Sequence, residues 1–539
     1  MTTGTAAPDR PDTRDGREGV GAGRDSFAHL VRAEWTKFRT VRGWVIGMIV
    51  AGLITVLLGY VTAAGSQSSC NGHPCHFINP VGPGGEAVVD SFYFVHRPLA
   101  GGGSITARVT SLTGELPTET NGRVRAGQGP QTGMHPGLEP WSKGGLIISA
   151  STRLGSAYAA VMVTGSHGVR MQYNYTGDTA GLAGVVSRAS PRWLRLTRSG
   201  DTITGYESAN GSAWTKVGTV RLSGLSPVVQ TGLFVSSPAY RQVTSQRLLG
   251  TGAVIGPTLA TAVFDHLSLH GTQTGGAWHG SLIGGGASGA YPVQGGGYHR
   301  AGGRFTVSGS GDIAPAVAGA GDPGQTIEHS LAGAFAGLIV LVVVAAMFIT
   351  AEYQRGLIRT TLAASPRRGR VLAAKAIVIG AVTFVAGLAA AAAAVLLGGR
   401  VLRGNGILVY PVTPLTEVRV VAGTAALLAI AAVLALAIGA ILRRSAAAVA
   451  AVIVVIVLPY ILAVPHVMPV AAAQWLLRIT PAAGFAIQQS LPQYPQVSNA
   501  YTPSSGYYPL APWAGFAVLC GYAALALGLA IFLLRRRDA

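Results

Sequence analysis

Six long apolar runs dominate the pattern of hydrophobic and polar positions along this chain. Each run is about 20 residues long, the length of a helix that crosses a hydrocarbon core. Their interiors carry almost no ionisable residues, as expected where one Arg or Lys costs roughly 2.5–3.5 kcal/mol. The pattern predicts a helical membrane bundle with six spans, at 44–64, 330–350, 376–399, 420–442, 446–464 and 512–534.

The pattern changes between the first and second runs. Here short β-rich segments alternate with Gly-rich turn signals, and helical periodicity is missing. Such a run of strands predicts an all-β sandwich of two packed antiparallel sheets, inserted in the membrane bundle at 65–328. The predicted strands are Val88–Val95, Ser104–Val109, Gly145–Ser149, Ala157–Thr164, Val169–Tyr175, Trp193–Arg198, Thr202–Ser208, Trp214–Leu222, Thr231–Ser236 and Ala262–Leu269, with a hairpin turn at Asn210-Gly211.

The first 64 residues divide into two parts. Residues 1–25 hold almost no large apolar side chains, so we expect a disordered tail. From Phe27 onward the apolar residues approximate one helix face and basic residues lie between them, which predicts an interfacial helix leading into the first span, within 26–64. The alternative is a straight extension of that span. The apolar set is Phe27, Leu30, Val31, Phe38 and Val41.

Charge placement predicts the orientation. The net charge is +19 although only 11% of residues are charged and 49% are hydrophobic, and the basic residues cluster beside spans. With six spans all four clusters fall on one side, so both termini should be cytoplasmic and 65–328 outside, in a bacterial plasma membrane. Contacts with anionic membrane lipid explain these clusters better than nucleic-acid binding does. They comprise Arg32, Lys37, Arg39 and Arg42; Arg355, Arg359, Arg367, Arg368 and Arg370; Arg443 and Arg444; and Arg535, Arg536 and Arg537.

Two cysteines follow the first span closely. Cys70 and Cys75 lie on the predicted outer side, where oxidation is permitted, so a disulfide is the first interpretation. Because His73 and His76 are adjacent, a metal site is an alternative, and free thiols are a third. No metal is assigned.

The connection between the second and third spans, 351–370, has its own pattern. Glu352, Arg355 and Arg359 lie three to four residues apart, a spacing that places neighbouring charges on one helix face for docking. Gly356 is expected to permit close approach of a partner, and Pro366 to end the helix before Arg367. A simpler alternative is a basic loop that only enforces topology.

These residues, together with Lys375 and the entry segment Glu34, Trp35, Lys37 and Arg39, resemble permease subunits of type-2 ABC exporters. The resemblance covers about half of the chain, including the five-span part 329–539. It implies that 351–370 touches a cytoplasmic ABC ATPase and that the chain pairs with a second copy or a related permease. The sequence has no G-x-x-x-x-G-K-[ST] phosphate loop, so ATP would bind to the partner subunit. We expect no catalytic residue and no cofactor in this chain.

The external segment, over about 83–271, resembles the concanavalin-A-like lectin/glucanase sandwich, a jelly roll. The similarity lies in the strands around Trp141, Trp193, Trp214 and Phe234. Retaining glycosidases need two carboxyl groups about 5–5.5 Å apart. Here Glu207 is isolated on its strand and Asp201 lies in a turn, so we expect no glycan hydrolysis. Binding of a cell-envelope glycan to an exposed aromatic ring remains an open alternative.

Two functional hypotheses follow. The first is a permease subunit of an ATP-driven exporter; the second is a membrane-anchored envelope-binding or sensory protein. Six spans exceed what an anchor requires, and spans without buried charge are unlike those of ion-coupled carriers. The first hypothesis is therefore favoured, with the cargo unassigned.

Overall fold

The structure is a computed structural model of the 539-residue chain. Thirteen segments lie outside its description, namely 1–26, 67–68, 71–72, 75–79, 119–132, 247–249, 274–275, 285–294, 320–323, 357–367, 464–468, 499–500 and 537–539. The predicted disordered tail, the pairing of Cys70 with Cys75, and the residues Arg359, Pro366 and Arg367 fall on these segments or depend on them.

Nine α-helices form the membrane domain within the described ranges. They are α1 (Phe27–Thr40), α2 (Arg42–Gly65), α3 (Gly333–Gln354), α4 (Arg368–Gly404), α5 (Pro414–Leu442), α6 (Ser445–Val452), α7 (Leu458–Ala463), α8 (Val470–Ile479) and α9 (Pro512–Arg536). A 3-10 turn, Ile327–Leu331, precedes α3, and a π-helical segment, Ile453–Val457, joins α6 to α7.

The six predicted spans are confirmed. Six helical stretches in the described part of the chain are long and apolar enough to cross a membrane. The third is longer than predicted, Arg368–Gly404 against 376–399, because helix α4 continues past its apolar part into basic ends. Helix α5 is the most enclosed of the six and packs against α3, α4 and α9.

Helices α2 and α3 cross at close range. A Cβ placed on Gly333 would collide with the carbonyl oxygen of Thr55, and one on Gly59 with that of Ser330. Small residues at a crossing let two backbones approach closely, which strengthens dispersion contacts where lipid removes the hydrophobic driving force. The crossing fixes the start of α3 beside α2.

Twenty strands are described, and all of them lie between α2 and α3. They are β1 (Ser69–Cys70), β2 (His73–Pro74), β3 (Val88–Asp90), β4 (Phe92–Pro117), β5 (Met134–Pro136), β6 (Lys143–Ser149), β7 (Tyr158–Thr164), β8 (Val169–Tyr173), β9 (Gly177–Ala180), β10 (Arg192–Ser199), β11 (Thr202–Ser208), β12 (Thr215–Arg221), β13 (Val228–Ser236), β14 (Tyr240–Gln246), β15 (Gly250–Gly256), β16 (Leu259–Gln273), β17 (His279–Ile283), β18 (Gly296–Ala301), β19 (Arg304–Gly309) and β20 (Ile313–Pro315).

Strand β4 organises a 14-stranded antiparallel sheet. Along one edge it pairs first with β13 and then with β10, and along the other first with β17 and then with β16. The changes of partner occur near Gly101, whose φ of +67° suits glycine. The prediction of separate strands ending at Val95 and starting at Ser104 was wrong, because the glycines bend one strand instead of breaking it.

The sheet folds over one hydrophobic core. Val161 of β7 and Met171 of β8 lie against Gly205 of β11, at the other end of the strand order. Apolar residues of both layers share this core, including Leu146, Leu194 and Phe264. The two layers are therefore parts of one continuous curled sheet, and we call this unit the sandwich.

A smaller apolar cluster joins the sandwich to the membrane domain. Val89 of β3 and Val317 pack with Tyr410 and with Tyr507, which precedes α9. In addition, the side-chain amide of Gln496 donates to the carbonyl oxygen of Thr176 at 3.0 Å. We call these contacts the apolar joint, and the end of the membrane domain that carries them the sandwich end.

Candidate functional site at the junction of helices α1, α3 and α4

Helix α1 buries an unexpected face. Glu34 and Phe38, one turn apart, are the two buried residues of α1, whereas Phe27 and Val41 are exposed. The predicted apolar face is therefore only partly correct: Phe38 belongs to it, but a carboxylate takes the central position. A buried carboxylate needs a partner, since leaving water costs it several kcal/mol.

That partner is Lys375 of α4. Its ammonium group donates to Oε2 of Glu34 at 2.7 Å and to Oε1 of Glu352, at the end of α3, also at 2.7 Å. Lys37 of α1 donates to the same Oε1 of Glu352. Two acids and two bases thus compensate one another at the meeting point of three helices, which we call the charge junction.

Burial makes the charge junction a structural clamp. Lys375, Glu352 and Glu34 are 0%, 4% and 6% exposed. Removing one member of such a buried set typically costs about 3–5 kcal/mol, because the remaining charge stays in a dry site without compensation. The junction therefore holds α1 against α3 and α4 strongly and in one register.

Aromatic rings enclose the junction. The ammonium of Lys375 lies 5.2 Å from the ring centroid of Phe348, a cation–π distance. Phe38 and Trp44 each contact Phe348 edge to face at 5.9 Å. These rings exclude water from the ion pairs and so strengthen their mutual attraction.

The remaining predicted coupling residues have different surroundings. Arg355 is exposed where α3 ends, beside Gly356, whose φ is +68°. An added Cβ on Gly356 would meet nothing within 4 Å. Close approach of a partner at Gly356 stays a prediction, and within the chain the left-handed conformation that commonly ends helices explains the glycine.

The interfacial group also divides into two pairs. Glu34 and Lys37 belong to the charge junction, whereas Trp35 and Arg39 point outward. The ring of Trp35 stacks on that of Phe38 at 6.4 Å. Exposed Trp and Arg on a helix beside the spans suit a membrane–water interface.

The sequence pattern alone does not place Lys375 among the candidate site residues. Lys375 is one basic residue at the start of a long apolar run, and Glu352 is one acidic residue at the end of another. Complementary single charges at the ends of neighbouring spans are the signal that could have paired them. Further contacts gather at this end: Gln354 donates to Ser445 at 3.2 Å, and Arg368 to the carbonyl of Leu534 at 2.9 Å.

Trp141, Trp193 and Trp214 of the sandwich each contact a neighbouring polar side chain. The imidazole of His167 stacks on Trp141 at 3.9 Å, and the guanidinium of Arg195 lies 3.9 Å from the ring of Trp214. Arg108 lies 5.6 Å from Trp193 and pairs with Asp265, whose pKa it lowers. Each of these rings therefore has a neighbouring side chain stacked on it or lying over it.

The acidic residues considered for hydrolysis are equally committed to the fold. Oε1 of Glu207 accepts from the backbone N–H of Leu182 at 2.6 Å, and burial raises the pKa of Glu207. Asp201 accepts from the backbone of Gly224 at 3.4 Å. Within the described part of the chain, no group of three or more His, Cys, Asp or Glu side chains fits a metal ion.

A match over more than half of the sequence shows the family of this chain. The family described as ABC-2 family transporter protein matches residues 205–539, more than half of the chain. This chain belongs to the ABC-2 transporter family. ABC-2 permeases are membrane components of transporters and normally work with a cytoplasmic ABC ATPase. The match includes Glu352 and Lys375, whereas α1 and α2 precede it.

Other comparisons add little to the ABC-2 assignment. The search of curated proteins found no match. One similar solved structure is a functionally unknown protein from Saccharomyces cerevisiae, with 15% identity over 34% of this chain and 76% of that chain, at a TM-score of 0.19. Two structures of scytalido-glutamic peptidase with transition state analogs share 10% identity over 41% of this chain and 98% of theirs, at a TM-score of 0.20. Such low scores support no inference.

Proposed function

We propose that this ABC-2 chain is the permease subunit of an ATP-driven exporter, coupled to a separate cytoplasmic ATPase at the end that holds the charge junction. The observation that supports this proposal is the junction itself, which ties α1, α3 and α4 together through buried ion pairs. An anchor for an external domain has no need of such a clamp.

The clamp suggests how force would pass through the chain. A partner that pushes on α1 or on 351–370 moves α3 and α4 together, because Lys375 contacts both carboxylates. Glu352 is buried and acts inside this clamp, while exposed Arg355 supplies charge for docking. Motion of α3 and α4 against α5 would then shift the pathway between inward-open and outward-open states.

A complete transporter requires a second permease copy or a related chain, so that the pathway forms between two membrane domains. The proposed orientation puts the charge junction in the cytoplasmic half and the sandwich outside, in agreement with the basic residues on α1 and at Arg443 and Arg444. Exposed Arg32 and Arg39 would contact anionic lipid headgroups.

Reversal of two docking charges tests the coupling. The variant Arg355→Glu with Arg359→Glu should lower recovery of the ATPase complex and its stimulated ATP hydrolysis by on the order of 10-fold or more, since each charged hydrogen bond contributes about 1.5–3 kcal/mol. Arg300→Glu with Arg304→Glu, an exposed basic pair on the sandwich, is the matched control. Unchanged coupling in the first variant would support the loop that only enforces topology.

Cysteine labelling tests the orientation. In a background without the three native cysteines, Ala301→Cys on β18 should react with an impermeant thiol reagent in intact cells. Gln354→Cys at the end of α3 should react only after the cells are opened. Both positions are exposed, so accessibility alone does not distinguish them. The opposite labelling pattern would reverse the assigned direction of the chain.

A further inference from the structure

A cavity of about 350 Å³ opens at the sandwich end of the membrane domain. It lies between the 3-10 turn Ile327–Leu331, helix α7, the 3-10 segment Pro481–Gln488 and the loop before α9. This volume lies in the range of small-molecule sites, roughly 300–1,000 Å³. The charge junction is at the opposite ends of α3 and α4, so the two features are separate.

Three aromatic rings form one wall of the cavity. The rings of Phe335 and Tyr460 are 4.7 Å apart, those of Tyr460 and Phe485 are 4.2 Å apart, and those of Phe335 and Phe485 are 6.1 Å apart. All three residues come from different elements and converge here. Aromatic faces carry partial negative charge and attract cations, most strongly where water is excluded.

A carboxylate without an ion-pair partner among the described residues also lines the cavity. Oε1 of Glu328 accepts from the backbone N–H of Ser490 at 3.3 Å, whereas Oε2 is buried and accepts no hydrogen bond from the described residues. None of the ion pairs found in the described ranges includes Glu328. Oε2 of Glu352 at the charge junction also lacks a hydrogen bond, but Glu352 has two ion-pair partners and Glu328 has none in the described ranges.

Neighbouring polar groups are already committed. The guanidinium of Arg419 donates to the carbonyl oxygens of Ile487 and Gln489, at 3.2 and 2.7 Å. Gln488 donates to Thr424 at 3.2 Å, and His329 is within 3.2 Å of the hydroxyl of Ser66. The aromatic wall and the carboxylate of Glu328 therefore define the chemistry of the cavity.

We propose that this cavity binds an organic cation, a quaternary or protonated amine with apolar substituents, whose charge meets Glu328 and whose substituents contact Phe335, Tyr460 and Phe485. The combination of a carboxylate with aromatic faces selects positive charge over a neutral molecule of equal shape. Its role as transported cargo rests on the proposed function, whereas binding itself does not.

The test uses the full chain in lipid nanodiscs without ATPase or ATP. Phenyltrimethylammonium and its uncharged carbon isostere, tert-butylbenzene, are titrated by calorimetry, and heats from empty nanodiscs are subtracted. We expect saturable binding of the cation, with the isostere bound on the order of 10-fold more weakly or not at all. Equal binding of both probes would overturn the proposal.

Substitutions assign the site. Glu328→Gln should weaken cation binding by on the order of 10-fold and leave the isostere unchanged, and Tyr460→Leu should weaken the cation as well. Glu328→Asp keeps the charge and should keep the preference for the cation. The control Glu417→Gln removes an exposed carboxylate at the start of α5 and should change nothing. Unaltered cation affinity in correctly folded Glu328→Gln would refute the site.

Transport assays separate this proposal from the proposed function. Binding as expected, without ATP-driven efflux of the cation from vesicles that contain the ATPase, would leave the site standing and refute the cation as cargo. Efflux of another compound with no cation binding would support the exporter and refute the site.

Discussion

The two ends of the membrane domain both bury carboxylates, but they compensate them differently. At the charge junction, Glu34 and Glu352 meet Lys37 and Lys375. At the sandwich end, Glu328 accepts a backbone hydrogen bond from Ser490 and forms no ion pair with the described side chains, although Arg419 acts on it from a longer distance. A set of charges that is complete within the chain fixes helices in place, whereas an incomplete one leaves room for a ligand. The same residue type thus serves rigidity at one end and recognition at the other.

Removal of the central cation of the charge junction should have the largest effect on stability. Lys375→Met should lower the free energy of unfolding by about 3–5 kcal/mol, because Glu34 would remain buried without a basic partner and Glu352 would keep only the partly exposed Lys37. Denaturant titration in detergent micelles measures the loss. Adding Glu34→Gln and Glu352→Gln to the same chain should restore most of the stability, since Lys37 is partly exposed and can turn to water. A Lys375→Met chain as stable as the parent would show that the junction is no clamp.

Asp90 provides an intermediate case, a buried carboxylate satisfied by neutral donors. It accepts from the hydroxyl of Tyr175 and the N–H of Gly155, both at 2.9 Å, while burial raises its pKa to about 6. The folded state thus binds the proton more tightly than the unfolded state does. The contribution of Asp90 to the free energy of unfolding is complete below about pH 4. It is lost as the pH rises through about 6, a change of about 3 kcal/mol.

Asp90→Asn should therefore flatten the dependence of sandwich stability on pH between about 4 and 7. Unfolding of the full chain, followed by tryptophan fluorescence at several pH values, measures this effect. Glu115→Gln, an exposed carboxylate on β4, is the matched control. An unaltered pH profile in the Asp90 variant would mean that this carboxylate is equally solvated in both states.

The smallest expected effect has the opposite sign from that of Lys375→Met. Glu328→Gln removes a carboxylate charge that has no ion-pair partner among the described residues and keeps an acceptor for Ser490, so we expect it to raise the free energy of unfolding by about 1 kcal/mol. The same micelle titration measures it. A loss of stability would place Glu328 with the structural carboxylates of the junction, and the contrast between the two ends would disappear.

Different parts of the fold were predictable to different degrees. The six spans follow from apolar runs of the required length, which tertiary context rarely overrides. Strand β4 was misread because Gly101, Gly102 and Gly103 signal a break, whereas partner exchange on both edges keeps the strand continuous. Strands β14, β15, β17 and β18 were missed for lack of alternating apolar residues.

The candidate site was predictable only in pieces. Glu34 and Lys375 are 341 positions apart, so no local pattern joins them. The helical periodicity of α1 correctly indicated a two-sided helix, but it ranked Phe27 and Val41 as buried because they are apolar. Their exposure and the burial of Glu34 depend on which partners α3 and α4 offer, and that is a property of the assembled helices.

The apolar joint has a practical consequence for imaging. Small helical membrane proteins offer few features to align once they are surrounded by detergent or lipid. Here the sandwich is fastened through Tyr507 and Gln496 to the loop that leads directly into α9. The sandwich is therefore a built-in fiducial, and sorting particle images by its tilt would also sort them by the position of α9, without an added antibody fragment.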